Sequence, residues 1–262
     1  SYGRVMALSS NGQILPGWAN KNIGTAVGSP VLADLNSDQK LEIIVASSDS
    51  VYVWDRNGNA MPGWPKAISG ALSYSPAVAN LVGDSRPEIV VGYDGADNQL
   101  VGSIFDAVGN AVVGWPKIAG GRVRSAPVIG DLDQNGFRDV VVFSSDKRMH
   151  AWNANGVKLT GWPVRMGSSL LHGSPALADL DGDGKLEVVS VSSTGSGIMA
   201  QCHAFRSDGS IFPGFPFDIY EAAVTAPVIA DVDGGQSKTL EIVFGDIDYW
   251  RTGVVHAFSM NK

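Results

Sequence analysis

The sequence predicts an all-β protein, a β-propeller of four-stranded blades with five blades, and three observations predict it. One segment recurs five times, its proline falling at Pro30, Pro76, Pro127, Pro175 and Pro227, with spacings of 46 to 52 residues. A second marker keeps step with it: Gly17-Trp18, Gly63-Trp64, Gly114-Trp115, Gly161-Trp162 and Gly214-Phe215. Between the two lie short β-branched runs and Gly-containing turns, with no long stretch of helical apolar period. A period of this length marks an array of like supersecondary units, a solenoid or a propeller. Four short strands per unit select the propeller.

The elements follow in order. Strand A is the run after the proline, as in Ala176 to Ala178. Strand B follows the acidic loop, as in Glu42 to Ala46 or Asp139 to Phe143. Strand C is Val51 to Trp54, Met149 to Trp152, Cys202 to Phe205 and Val255 to Phe258. Strand D leads into the Pro-Gly-Trp marker. Between C and D, Asn57-Gly58, Asn155-Gly156 and Asp208-Gly209 are hairpin-turn signals. The chain enters mid-blade, with Arg4 to Leu8 read as a strand C and Gln13 to Trp18 as a strand D. It leaves after another strand C. Residues 1–262 are therefore read as one domain, with repeats starting near 29, 75, 126, 174 and 226 and the N-terminal strands at 4–18 closing the ring against the last A-B-C set. That closure removes the exposed sheet edges. It leaves one strand C redundant, either Arg4 to Leu8 or Val254 to Phe258. The alternative is an open fragment of a larger propeller.

Composition bounds the rest. A chain of 262 residues holds one propeller without a second domain, and its 44% hydrophobic content suffices for a core. A formal net charge of −7 and a pI near 5.0 argue against a nucleic-acid or anionic-membrane partner, which favours a basic face. Cys202 is the only cysteine, so no intrachain disulfide forms, and it reads as a buried small hydrophobe. No apolar stretch is long enough to span a membrane. No signal peptide opens the chain at Ser1, so a processed product or an excised domain is expected.

Chemistry concentrates in the acidic loop between strands A and B. In Asp179–Glu187 (DLDGDGKLE), side-chain oxygens fall at loop positions 1, 3, 5 and 9 around Gly184: Asp179, Asp181, Asp183 and Glu187. Hard oxygens spaced two apart on a sharply bending loop are what a calcium ion needs. Asp131, Asp133, Asn135 and Asp139 form a second set. Asp34, Asn36, Asp38 and Glu42 form a third, with Gln39 in place of the glycine. The backbone carbonyls of Lys40, Phe137 and Lys185, at position 7, would each add an oxygen. The second repeat has Asn80, Val82, Asp84 and Glu88 and lacks the position-3 oxygen. The last keeps Asp231, Asp233 and Glu241 around a two-residue insertion. An EF-hand is excluded, because position 12 is Val45, Val142 or Ser190 and the flanks are β-rich. The competing reading makes these loops polar turns whose Asp side chains cap backbone amides. Calcium is favoured at Asp131, Asp179 and Asp34, and the turn reading at Asn80 and Asp231.

The segment Ser174 to Val189 (SPALADLDGDGKLEVV), its four variants and the strand-C and Pro-Gly-Trp elements after them resemble the FG-GAP or VCBS-type repeats related to the integrin α-chain propeller. The resemblance covers nearly the whole chain. It implies a propeller, an extracellular (secreted or cell-surface) location and structural calcium held by Asp131, Asp133, Asn135, Asp139, Asp179, Asp181, Asp183 and Glu187. It further implies an adhesion or carbohydrate-binding module attached to other domains.

Strands that alternate in direction put the A–B and C–D loops on one face. The opposite face gathers the irregular B–C loops (93–101, 193–201, 246–253) and the D–A residues Arg122, Arg124, His172, Tyr220 and Glu221. Function sits on variable loops over a rigid scaffold, so a ligand is expected there, with Tyr249, Trp250 and Arg251 as further candidates. The marker tryptophans repeat with the blades and read as inter-blade packing. His150, His203 and His256 share one strand-C register on different blades and read as structural.

The leading expectation is a non-catalytic, calcium-stabilised binding module for an extracellular carbohydrate or protein ligand, with no nucleic-acid partner and no membrane insertion, part of a larger chain or assembly. A polysaccharide-active glycosidase or lyase in the funnel is the alternative. It would need paired carboxylates from Asp94, Asp97, Asp218, Glu221, Asp246 or Asp248, and no motif supports a pair. A quinone-cofactor propeller, raised by VYVWDRNG, conflicts with the acidic loops. A structural or assembly subunit is the remaining reading, since an unmatched strand C leaves an edge that can pair.

Overall fold

A computed structural model describes residues 3–95, 97, 99–167, 170–171, 173–193, 200–219, 222–223, 225–232, 239–247 and 253–259. Every regular element among them is a strand, and every strand pairing is antiparallel. The chain forms two compact units, Ser1–Pro127 and Val128–Lys262.

The first unit opens with a two-stranded sheet, β1 (Gly3–Val5) on β2 (Lys21–Gly24). A four-stranded sheet follows, β3 (Ala26–Ala33), β4 (Glu42–Ser47), β5 (Ser50–Trp54) and β6 (Lys66–Ala67), in sequence order. The next sheet centres on β9 (Glu88–Asp94), which pairs with β7 (Ala71–Leu72), β8 (Ala77–Ala79) and β10 (Leu100–Phe105), with β11 (Lys117–Ala119) outside β10. The second unit repeats the plan. Its first sheet is β12 (Val128–Gly130), β13 (Asp139–Ser144), β14 (Arg148–Trp152) and β15 (Val164–Arg165). In its second, β18 (Glu187–Ser193) pairs with β16 (Leu170–Leu171), β17 (Ala176–Ala178) and β19 (Ala200–Phe205), which carries β20 (Phe217–Ile219). In its third, β23 (Glu241–Ile247) pairs with β21 (Ala222–Ala223), β22 (Val228–Ala230) and β24 (Gly253–Ser259). These are A-B-C-D units of propeller-like type, and no sheet closes on itself.

Strand A is interrupted in the way its sequence requires. Proline has no N–H for the ladder and is tolerated only at breaks and bulges. The register of β3 on β4 accordingly jumps between Val27 and Val31, across Pro30. In the β9, β18 and β23 sheets strand A is two pieces, one on each side of Pro76, Pro175 and Pro227.

The structure corrects the placement of strand D. Residues 13–18 and their equivalents make only one isolated bridge each, as in Leu8–Ile14 and Phe205–Ile211. The paired strand D lies after the marker, at Lys21–Gly24, Lys66–Ala67, Lys117–Ala119, Val164–Arg165 and Phe217–Ile219. The marker is a turn inside the C–D hairpin. The Met61 N–H reaches the Val53 carbonyl, then the Trp64 N–H turns back onto the Met61 carbonyl, and only then does the ladder resume. The marker glycine supplies the positive φ this needs, +84° at Gly63.

Sheet faces are buried against the neighbouring sheet. In the first unit Ile44, Ala46, Val51 and Val53 pack with Ile89, Val91 and Tyr93 of the next sheet. In the second, Met149 and Ala151 pack with Val188, and Cys202 and Ala204 with Ile242 and Phe244. Three of the marker tryptophans, Trp18, Trp64 and Trp162, clasp the next hairpin. The indole Nε1–H of Trp18 donates to the Arg56 carbonyl at 3.0 Å, that of Trp64 to Ala107 at 3.0 Å and that of Trp162 to Ser207 at 2.8 Å. The tryptophans are therefore packing residues, as their repetition predicted. Replacing Trp64 by Phe, which keeps the ring and loses the donor, is expected to cost about 1–1.5 kcal/mol in chemical denaturation, and Trp64→Ala about 3–5 kcal/mol.

Candidate metal centre

The acidic loops are built on one template. The position-9 acid opens strand B and is buried in all five repeats: Glu42, Glu88, Asp139, Glu187 and Glu241. One of its oxygens accepts the position-2 N–H across the loop, from Leu35 (2.8 Å), Leu81 (2.7 Å), Leu132 (2.8 Å), Leu180 (2.8 Å) and Val232 (2.9 Å). This closure is present even in the second repeat, where Val82 leaves position 3 without an oxygen, so the position-9 acid is part of the fold. The sequence carried a signal for it, since an apolar residue at position 2 and an acid after the loop recur in every repeat.

The position-1 acid caps the turn. Asp131 accepts the N–H groups of Asn135 (3.0 Å) and Gly136 (2.9 Å), and Asp179 those of Gly182 (2.8 Å) and Gly184 (2.8 Å). Asp34 does the same for Asp38 (3.1 Å) and Gln39 (2.8 Å). Asn135, Asp183 and Asp38, at position 5, accept from Phe137 (2.7 Å), Lys185 (2.8 Å) and Lys40 (2.8 Å). The polar-turn reading thus describes bonds that exist. A left-handed residue sits at positions 4 and 6 of three loops: Ser37 and Gln39, Gln134 and Gly136, Gly182 and Gly184. Neighbouring loops are tied, the Ser37 hydroxyl donating to the Ser85 carbonyl (3.0 Å) and the Gln134 amide to the Gly184 carbonyl (2.7 Å).

Two loops go further than capping. Asp131, Asp133 and Asp139 each bring a carboxylate oxygen within 4.8 Å of the others, and so do Asp179, Asp181 and Glu187. Among the described residues these are the acidic groups of that kind. The second oxygen of Asp139, Oδ1, is buried with no hydrogen-bond partner. A buried oxygen left without a donor costs stability unless a cation or water meets it. The donor sets are all hard oxygens, which fits a divalent cation such as calcium or magnesium. Asp34, Asp38 and Glu42 do not form such a group, and Asp38 is paired with Lys40 at 3.6 Å. The second repeat is a capped turn, with Asn80 accepting from Gly83 at 2.8 Å and Asp84 from Arg86 at 2.7 Å. In the fifth, residue 233 lies outside the described residues. Asp181 also meets the Arg206 guanidinium at 3.8 Å, and Arg206 lies over the Phe212 ring at 5.3 Å.

Of the candidates on the opposite face, Arg122 is exposed and Arg124 half-buried. Arg124 is hydrogen-bonded to Tyr74, whose phenol burial pushes above its usual range, and Asp94 Oδ1 accepts the Val123 N–H at 2.7 Å. His172, Tyr220, Glu221, Tyr249, Trp250 and Arg251 lie outside the described residues. Asp218 accepts the Gln201 amide at 2.9 Å. His150, His203 and His256 lie in separate sheets and stack on Trp152, Phe205 and Phe258, respectively. Burial holds His203 down at about 4 and lowers His150 against the pull of Asp146, so both are neutral at neutral pH. Burial raises the Cys202 thiol to about 12, which leaves it inert.

The chain belongs to the FG-GAP-like repeat family, which matches residues 9–91 and 131–190. No curated protein sequence matches it. Among solved structures it is similar to the V. cholerae biofilm matrix protein Bap1, at 20% identity and a TM-score of 0.64 over 87% of this chain and 35% of that one. It is also similar to the Pseudomonas aeruginosa PilY1 C-terminal domain, at 12% identity and a TM-score of 0.57 over 88% of this chain and 69% of that one. A third likeness is to BBS1N in complex with ARL6DN, at 14% identity and a TM-score of 0.53 over 88% of this chain and 68% of that one. These likenesses are of fold, and the chain spans about a third of the Bap1 chain.

Burial, then the neighbouring acids, raises Asp139 to about 6 and Glu187 to about 7. In the metal-free protein the native state therefore binds these protons more tightly than the unfolded chain. That stabilising contribution is whole below the ordinary carboxylate values near 4 and is lost as pH rises through 6 and 7. The melting temperature of chelator-treated protein is expected to fall between pH 4.5 and 8, with a shallower fall in Glu187→Gln.

Proposed function

We propose that this chain is a non-catalytic, extracellular propeller module that holds structural calcium and presents a binding or adhesion surface to a carbohydrate or protein ligand. The observation that carries the reading is the pair of acid clusters, with the orphaned Asp139 oxygen, in two of the repeated loops, whereas the equivalent loop at Asn80 is only a capped turn. A site for chemistry has no reason to recur once per repeat in graded form; a site that braces each repeat does.

In this reading Asp131, Asp133, Asn135, Asp139 and the Phe137 carbonyl hold one ion. Asp179, Asp181, Asp183, Glu187 and the Lys185 carbonyl hold another. Asp34, Asn36, Asp38, Glu42 and the Lys40 carbonyl form a third, weaker site. Bound calcium neutralises carboxylates that otherwise repel one another. It does so beside the closure made by the position-9 acid, and it stabilises the native state by mass action. A loop filled by protein oxygens leaves little room for an activated water. The ligand surface is assigned to the opposite face, around Arg122 and Arg124 and the candidates at 172, 220–221 and 249–251.

Extracellular placement draws on the biofilm matrix protein among the structural neighbours and on the FG-GAP-like repeats. No helix among the described residues is long and apolar enough to cross a membrane.

Adding calcium to chelator-stripped protein is expected to raise the melting temperature. Saturation at about a hundred times the dissociation constant corresponds to about 2.7 kcal/mol per site. Absence of any shift would overturn the calcium reading. Asp181→Ala is expected to remove a large part of the increment and Asn80→Ala none of it. Equal losses in a calcium titration would return both loops to the status of polar turns.

A further inference from the structure

We propose that Arg206 is a resident counter-charge of the Asp179 loop, and that it lowers the affinity of that loop for calcium. This role rests on the calcium reading and adds to it a residue outside the loop.

Arg206 opens the C–D turn of the sheet that carries the loop. The turn bonds fix its place in the repeat. The N–H groups of Ser9, Asp55, Asp106, Asn153 and Arg206 each donate to the carbonyl four residues on, at Gln13, Asn59, Asn110, Val157 and Ser210. Elsewhere in the chain the residue at this place caps the turn with its side chain. Ser9 accepts the Gln13 N–H at 3.2 Å. Asp55 accepts the N–H groups of Asn57 (2.9 Å) and Asn59 (2.8 Å), and Asp106 those of Val108 (3.0 Å) and Asn110 (2.8 Å). Asn153 accepts those of Asn155 (3.1 Å) and Val157 (3.0 Å). A guanidinium has no acceptor and cannot cap. The duty passes to Asp208, which accepts the Ser210 N–H at 2.9 Å and the Ser210 hydroxyl at 2.6 Å. The turn keeps its form, and the Arg206 side chain is released from it.

That side chain goes to the acidic loop. Its Nη2 lies 3.8 Å from Asp181 Oδ2, and its guanidinium lies over the Phe212 ring, 5.3 Å from the centroid. Phe212 departs from the repeat as well. The residues whose N–H makes the same ladder bond are Leu15, Met61, Val112 and Leu159, none of them aromatic. The fourth repeat thus combines a cation at the turn, a ring to seat it and a substitute cap. The cation faces the position-3 acid of one of the two clusters.

Charge at these two positions changes together along the chain. Loop position 3 and the residue opening the turn of the same sheet are Asn36 with Asp55, Val82 with Asp106, Asp133 with Asn153, and Asp181 with Arg206. An acid stands at the turn only where position 3 is uncharged. The turn is neutral where position 3 is Asp133, and cationic where it is Asp181. The loops themselves account for the last step. The Asp131 set holds three carboxylates, with Asn135 at position 5, and the Asp179 set holds four, with Asp183 there. Arg206 offsets the fourth.

An exposed ion pair adds little to stability, so the effect falls on the ion. Calcium held by Asp181 would share that carboxylate with the guanidinium, and two cations on one anion repel.

The test is calorimetric titration of calcium into the chelator-stripped full chain. Asp133→Ala silences the Asp131 loop, so that the Asp179 loop is read alone. On that background Arg206→Asn, the residue the third repeat uses at this place, is expected to bind calcium about three- to tenfold more tightly. Arg206→Gln is expected to do the same, and Arg206→Lys to leave the affinity as it was. The gain is expected to shrink in high salt, where the screening length falls below the separation of the charges. Circular dichroism with a melting curve checks that each variant folds. Unchanged or weaker binding in the neutral variants overturns the proposal. Equal tightening in Arg206→Lys also overturns it, since packing on Phe212 and not charge would then be at work. Binding that Asp133→Ala abolishes altogether overturns it too, and leaves the calcium reading standing at the Asp131 loop. An unaltered chain that binds no calcium overturns the calcium reading itself, and this proposal with it.

Discussion

A four-stranded sheet cannot bury both of its faces by itself, and everything in this chain follows from how that need is met between repeats. The clasp is the marker tryptophan. Its ring fills the space between two sheets, and its N–H closes on a carbonyl of the next hairpin, which would otherwise face the indole without a donor. Where the clasp joins a hairpin to the one before it, it holds strand-C residues such as Val51 and Cys202 against the neighbouring sheet.

The acidic loops show two functions carried by one residue type. At position 9 an acid is held in the interior by a backbone amide, and at Asp139 and Glu187 burial is the reason the proton is retained to unusually high pH. At positions 1, 3 and 5 the acids cap amides that the tight turn cannot pair internally. In the proposed reading an ion would add to this scheme without replacing it, since the capping bonds occupy some lone pairs of the carboxylates and the cluster presents others. The second repeat, without its position-3 oxygen, keeps the same closure.

Much of this was legible in the chain itself. The period, the A, B and C strands, the packing role of the tryptophans and the shared strand-C register of His150 and His203 followed from spacing and residue type, because each is repeated and local. Strand D was misplaced because Pro-Gly-Trp looks like the end of a strand. Its role as a bulge within a hairpin depends on ladder bonds from Met61 and its equivalents, and a sequence does not display these. The loop-closing role of Glu187 was read as that of a ligand for a similar reason, although its recurrence after every loop pointed to it. A ligand-type residue at loop spacing and a buried structural acid have the same letter. Gln39 was flagged for replacing a glycine, and the structure shows the cost it carries, a left-handed φ of +66° in a residue with a Cβ.

The bond from the Gln134 amide to the Gly184 carbonyl has a consequence for the two acid clusters. Gln134 is the left-handed pivot of the Asp131 loop, and Gly184 is the pivot of the Asp179 loop. Ordering either loop fixes one end of that bond, and so lowers the entropy that remains to be lost at the other. Two sites joined in this way share a coupling free energy, equal in both directions. Under the proposed calcium reading, occupancy of the second cluster would answer to the first, and a row of separate turns would become a strip that stiffens as a unit.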